Sequence, residues 1–203
     1  GQVLLVATGR PVRILDVRWR LDLPEGRPAY VEGHLPGAVY VDLENELAMH
    51  GHPEGGRHPL PDSATFEQAV RRWGIDDGDE IVVYDDNDGV AAARAWWMLD
   101  QYGVRSRLLD GGLRAWIAAG RSLQSGDRRV TPGTASLEPV GSGPLGIDEV
   151  AVFPQRGVLV DVLSCREGMS KSGIVGLVAG AAIGADSLLA NMGTEDFLSC
   201  LSR

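Results

Sequence analysis

Tyr30-Val31-Glu32-Gly33-His34-Leu35-Pro36-Gly37-Ala38-Val39-Tyr40-Val41 is punctuated as a turn that delivers an apolar strand. Pro36 fixes φ and Gly37 admits a backbone bend that a larger residue resists, so Val39-Tyr40-Val41 enters a sheet from a defined direction. His34 is then expected to be a framework residue. Buried polar groups find partners, and the nearest partners for its imidazole are the backbone groups of this loop.

Working outward, Val12 to Val17 reads as a buried strand that closes on Asp16-Val17-Arg18, with charge at the strand end where α/β sheets bind ligands. Arg18 there suits an anionic substrate or, more commonly, a surface or interdomain ion pair. Asn45 to Pro61, rich in Gly, His and Pro, reads as a loop. His50, His52 and His58 within it lack the spacing of a metal-binding pair on a helix and are expected to be solvated. Asp62 or Ser63 caps a helix that runs to about Trp73, where Gly74 stops it. Ile81-Val82-Val83-Tyr84 is a second apolar strand, followed by the polar turn Asp85-Asp86-Asn87-Asp88-Gly89 and a helix from Val90 to Tyr102. Asp85 and Asp88 are expected to bond local backbone, and Trp96 and Trp97, adjacent on that helix, to serve two different packing contacts. Arg107-Leu108-Leu109 forms another strand, ending in Asp110-Gly111-Gly112-Leu113-Arg114-Ala115-Trp116. Strand, loop and helix in this order build a parallel sheet by right-handed crossovers.

The predicted organisation is residues 1–125 as one α/β domain, 126–146 as a linker and 147–203 as a second, partial domain. The linker assignment rests on Ser, Gly, Pro and Thr without periodicity from Arg121 onward. Gly157-Val158-Leu159-Val160-Asp161-Val162 echoes Arg13-Ile14-Leu15-Asp16-Val17, which suggests an internal duplication. With 203 residues the chain is long for one domain and short for two. A net charge of −9, with no run of Lys or Arg, argues against a nucleic-acid partner. The longest apolar run, Gly173 to Ala185, falls short of the roughly 18 to 20 residues that span a bilayer, so no membrane partner is expected. No secretory leader is evident at the start, and a reducing, cytoplasmic setting is the expectation, since Cys165 and Cys200 are too few for a disulfide framework and lack zinc-site spacing.

Leu163-Ser164-Cys165-Arg166-Glu167-Gly168-Met169-Ser170 puts one cysteine between an apolar strand and a Gly/Ala-rich helix, where successive N–H groups can converge on a single sulfur and hold it as an anion. A thiolate needs that help, because the free thiol has a pKa near 8.5. Helix N-terminus and Arg166 push the same way. Cys200, near the end of the sequence, reads as a small buried hydrophobe. Gly176, Gly180 and Gly184 read as a helix face for close packing on the sheet.

Tyr30 through Ala38, Asp110 through Trp116 and the Cys165 loop together resemble the rhodanese family of two-domain thiosulfate/3-mercaptopyruvate sulfurtransferases. The resemblance implies an α/β fold, a parallel sheet flanked by helices, duplicated, with the second copy short or incomplete in this chain. In the family the loop runs Cys, x, x, Gly, hydrophobic, Ser/Thr. This implies Cys165 as nucleophile and Arg166, Gly168, Met169 and Ser170 as the groups that hold a small anionic sulfur donor. The implied cycle passes sulfane sulfur from thiosulfate or 3-mercaptopyruvate through a cysteine persulfide to cyanide or a thiol acceptor, with no cofactor and no metal. Glu167 fits neither donor's usual loop. Asp85 stands where the first copy would carry a nucleophile, in keeping with the family's silent N-terminal copy. Gly193-Thr194-Glu195-Asp196-Phe197 keeps only the small, acidic and aromatic character of the family's C-terminal signature.

Two departures leave alternatives open. Val162 runs straight into Leu163 where the family inserts half a domain with a second His-x-Pro-Gly-Ala turn, and in a rival register Val178 to Ala185 stands at that turn and Cys165 is not catalytic. A non-catalytic binding or regulatory module is therefore the alternative function. A cysteine phosphatase is a distant third, because Lys171 stands where that chemistry needs the planar fork of an arginine.

Overall fold

Val12 to Val17 is the central strand, β1, and everything else in the described fold is hung on it. The computed structural model describes residues 12–50, 58–141, 143 and 144. The chain divides into two compact units, residues 1–141 and 142–203, and every strand and helix described belongs to the first. The readings made for Cys165, Arg166, Gly168, Met169, Ser170, Cys200, His52 and the Gly176 to Gly184 face fall outside the described residues.

In chain order, β1 is followed by α1 (Arg27–Glu32), β2 (Ala38–Val41), α2 (Leu43–Glu46), α3 (Ser63–Arg72), β3 (Glu80–Tyr84), α4 (Val90–Asp100), β4 (Ser106–Leu108) and α5 (Gly112–Ala118). The four strands form one parallel sheet in the order β2-β1-β3-β4. Because side chains alternate across a strand, β1 feeds two cores. Leu15 and Val17 meet Val39, Val41, Ile81 and Val83 on the face covered by α3 and α4, where Phe66, Trp73, Ala95 and Leu99 are buried. Ile14 turns to the other face, with Leu35, Ala38, Tyr84 and Leu113.

The helix starts follow from sequence. Asp62 caps α3, its carboxylate accepting from the Thr65 N–H at 2.8 Å. After α3, Gly74 takes φ +77°, the left-handed conformation that ends a helix. The helix α2 runs into the start of the segment expected to be a loop, Asn45 to Pro61. Four residues are too few for periodicity to reveal, and the short turn is held by capping instead. Asp42 accepts from the Asn45 N–H and Glu46 reaches back to the Asp42 N–H.

Residues 122–141, expected to cross the surface as a linker, run along the first unit as a fastened strap. Gln124 and His34 exchange backbone hydrogen bonds at 2.9 and 3.0 Å. Farther on, Gly133 donates to the Arg71 carbonyl and Ala135 to that of Ile75. Thr134 binds Asp76, and Ala135 and Leu137 are buried in the α3/α4 core. Two isolated apolar residues in a polar stretch leave no periodic trace, which is why the pattern does not announce the packing. Gly133 lies so close to β3's approach that a Cβ there would sit 2.0 Å from the Ile75 carbonyl oxygen. Gly133→Ala is expected to destabilise the chain by about 2 kcal/mol through forced backbone displacement, read as a lower urea midpoint at unchanged slope.

Candidate functional site

The C-terminal ends of β1 and β3 converge on one buried polar knot. Asp16 is fully buried and Arg18 is 4% exposed. The Arg18 Nε donates to Asp16 Oδ1 at 2.7 Å, and its Nη2 donates to Asp16 Oδ2 at 3.0 Å and to the Gly33 carbonyl at 2.8 Å. Asp86 stands 3.9 Å from Arg18 Nη1. Tyr84 donates a short hydrogen bond to Asp16 Oδ2 and accepts from the Leu35 N–H at 2.9 Å. Arg18 thus forms an ion pair within its own domain and beneath the surface, in place of the surface or interdomain pair expected. Burial pushes the Asp16 carboxyl up to about 6, against the opposing pull of Arg18 and of the Tyr84 hydrogen bond. Desolvation and the neighbouring Asp16 charge likewise raise the Tyr84 phenol.

Arg18 and Tyr84 hold the turn that contains His34 from below, and Tyr30 closes it by donating its hydroxyl to the Ala38 carbonyl at 2.9 Å. His34 is fully buried. Its Nδ1 lies 2.9 Å from the Tyr30 carbonyl, which can only accept, so the proton sits on Nδ1. The ring stacks on Tyr30 with centroids 4.1 Å apart, and desolvation lowers its pKa, keeping it neutral. This is the framework role expected of it.

Asp85 follows β3 and is 1% exposed. Its Oδ1 accepts from the N–H groups of Asn87 and Gly89 at 2.9 and 2.8 Å, and its Oδ2 from those of Ala91 and Ala92, both at 2.9 Å. Four backbone donors of the loop and the first turn of α4 converge on one carboxylate. Such a ring stabilises negative charge, and here the charge is supplied from within. Gly112 packs against this loop, with the Leu113 N–H donating to the Asp85 carbonyl at 2.9 Å. Asp88, at φ +56°, turns outward to Arg114 at 2.6 Å.

A further group was missed by sequence reasoning. The side chain of His58 is 8% exposed, not solvated as expected, and its Nε2 lies 3.0 Å from Glu44 Oε1. Trp19 Nε1 donates to the same oxygen at 2.6 Å and packs its ring edge-on to the imidazole. Arg94 fastens the loop ends beneath them, donating to the carbonyls of Leu47, His58 and Pro59. An imidazole oriented by a carboxylate can accept or donate a proton. The signal lay across three separate segments, at residues 19, 44 and 58, so spacing along the chain did not reveal it. His50, by contrast, is exposed at 58%. Among the described residues no group of three or more His, Cys, Asp or Glu is placed to hold a metal ion, and no helix is long and apolar enough to cross a membrane.

Residues 4–119 match the family model described as a rhodanese-like domain. The chain belongs to the rhodanese family. It is 52% identical over 135 residues to "Putative thiosulfate sulfurtransferase SseB" of Mycobacterium tuberculosis, an alignment that covers 62% of this chain and 48% of that protein. It is 42% identical over 148 residues to "Probable 3-mercaptopyruvate sulfurtransferase" of Pseudomonas aeruginosa, covering 71% of this chain and 51% of the relative. The crystal structure of SseA from Escherichia coli, described as a 3-mercaptopyruvate sulfotransferase of rhodanese fold, superposes with a TM-score of 0.62 at 30% identity, over 71% of this chain and 57% of that one. This rhodanese chain spans about half the length of the curated relatives it matches.

Two outcomes follow from the rhodanese domain's buried carboxylates. Asp85→Ala leaves four N–H groups without their acceptor and is expected to lower stability by about 2 to 4 kcal/mol in chemical denaturation, while Asp88→Asn, on the exposed side of the same loop and equally at home in its left-handed backbone, changes it by less than about 0.5 kcal/mol. The Asp16 carboxyl is raised on folding, so its stabilising contribution is fully present below its unfolded value of 3.8 and is lost as pH rises through about 6. The stability difference between the native chain and Asp16→Asn is therefore expected to shift against the native chain between pH 4 and 6 and to level off above 7, measured by urea titration across that range.

Proposed function

We propose that this chain is a sulfurtransferase whose nucleophile is Cys165 in the loop Leu163 to Ser170 of a second, partial rhodanese-like unit spanning residues 147–203, the joining segment expected at 126–146 being shortened to the residues after Gly141. In this reading the Cys165 thiolate attacks the outer sulfur of thiosulfate. An S–S bond forms on Cys165, the donor's S–S bond breaks, and the electron pair leaves with sulfite. With 3-mercaptopyruvate the C–S bond breaks instead and pyruvate leaves after protonation of its enolate. The persulfide then yields its outer sulfur to cyanide or a thiol. Arg166 and the amides of Gly168, Met169 and Ser170 hold the anionic donor. The cycle needs only the thiol, with no cofactor, and it suits a reducing, cytoplasmic compartment.

The observation that carries the reading is Asp85. The first unit's loop has four N–H groups gathered on a carboxylate, and a carboxylate has no sulfur orbital with which to take up sulfane sulfur. The names of the relatives supply the reaction class, and the chain's two cysteines, Cys165 and Cys200, leave one that sits in a family-type loop. The loop after β3 in the described unit is filled by its own carboxylate, which favours a non-catalytic binding module as the second reading.

Cyanolysis separates the two. With thiosulfate or 3-mercaptopyruvate, the native chain is expected to form thiocyanate, and Cys165→Ser to lose at least a thousandfold of that rate while Cys200→Ser keeps it. A mass gain of one sulfur on Cys165 after donor treatment identifies the persulfide. Turnover that survives Cys165→Ser removes this residue from the mechanism, and absence of turnover with both donors favours the binding module.

A further inference from the structure

The edge of the sheet at β2 borders a cleft of about 540 Å³, within the range of small-molecule sites. Val39, Tyr40 and Val130 give it apolar wall, and residues of the strap from Asp127 to Val130 line it together with Arg27 of α1 and Arg72 of α3. Four arginines and three carboxylates line it, namely Arg27, Arg72, Arg128 and Arg129 against Asp42, Glu46 and Asp127.

The distribution of contacts among these seven charges is uneven. Arg27 holds Asp127 at 2.7 Å, with its guanidinium carbon 5.3 Å from the centre of the Tyr40 ring. Glu46 is taken by Arg72 at 3.2 Å and by the Trp73 indole N–H at 2.9 Å. Asp42 accepts from the backbone and side-chain nitrogens of Asn45 in capping α2. Every carboxylate therefore has its donors, whereas Arg128 and Arg129 form no ion pair among the described residues. Both are exposed. Arg128 Nη1 comes within 3.7 Å of where a Cβ on Gly37 would lie, so a side chain at that turn would be in contact with it. Two adjacent unpaired guanidinium groups at the rim of a concavity, in a chain of net charge −9, are a local reversal of sign.

We propose that this cleft binds a small dianion, an organic dicarboxylate or an inorganic oxyanion, through Arg128 and Arg129. A guanidinium presents paired N–H donors that match carboxylate or sulfate oxygens two at a time. Two such groups select two negative charges over one, and the Arg27–Tyr40 side gives an organic ligand's carbon skeleton a surface to lie on. The site does not share a residue with the Asp85 loop, and the proposal does not depend on the sulfur-transfer reading.

The test is calorimetric titration of the full chain with malonate and, separately, with sulfate, at fixed ionic strength. Saturable one-site binding of one of them is expected, weakened at least tenfold by the double substitution Arg128→Ala/Arg129→Ala. Arg105→Ala/Arg107→Ala, which removes two exposed arginines at the opposite sheet edge, is expected to leave it unchanged. Tighter malonate assigns the site to an organic dicarboxylate and tighter sulfate to an inorganic oxyanion. No saturable heat with either probe, or equal weakening by both double substitutions, overturns the proposal. Because the readout is binding, failure of Cys165 to turn over leaves the result unaffected.

Discussion

Arg18 is the one long side chain that ties strand, turn and loop together. It leaves the end of β1, grips Asp16 with two hydrogen bonds and reaches the Gly33 carbonyl, and Tyr84 completes the link by holding Asp16 and the Leu35 N–H at once. A buried ion pair is weak evidence for net stability, because desolvation offsets most of the Coulomb attraction, but it punishes any arrangement that leaves one partner alone. The knot therefore acts through geometry. It permits one placement of the Gly33 to Gly37 turn relative to β1 and β3, so β2 starts in register with β1.

That placement has consequences for chemistry. The rhodanese fold presents loops at the C-terminal ends of parallel strands, the usual location of α/β ligand sites. In the first unit the loop after β3 is formed to a geometry that gathers N–H groups on one negative charge, and Asp85 occupies it permanently. The four hydrogen bonds define the loop's shape without any ligand, and the position they surround holds a carboxylate where a sulfur would be needed for sulfane transfer. His58, Glu44 and Trp19 form a second fixed polar group, held from below by Arg94. The strap adds the same kind of constraint on the outside, because Gln124 reads the His34 turn by backbone pairing while Ala135 and Leu137 enter the core.

Much of the fold was legible along the chain. The strand Val12–Val17 has its predicted limits, Asp62 caps α3 where a helix start was expected, and Pro36-Gly37 delivers β2 as read, with Gly37 at φ +85°. These features depend on neighbours a few residues apart, so local composition reports them. His34 belongs with them, since its partner Tyr30 lies only four positions away. The burial of His58 and Arg18 was not legible. Asp16 lies two positions from Arg18, but Glu44, Trp19, Asp86 and Gly33 are brought to His58 and Arg18 by the packing of separate segments, and it is that packing which buries them.

By itself the sequence determined the periodic elements, the His-Leu-Pro-Gly-Ala turn, the family, and the absence of a sulfur nucleophile at position 85, because these follow from residue identity and short-range order. Only the tertiary structure decided that Asp85 fills its loop with four hydrogen bonds, that Arg18 is an internal tie, and that residues 122–141 belong to the first unit's core and rim the arginine-bearing cleft. Those outcomes rest on which distant groups share a low-dielectric interior, and a polar side chain's role there is fixed by the partners that burial compels it to find.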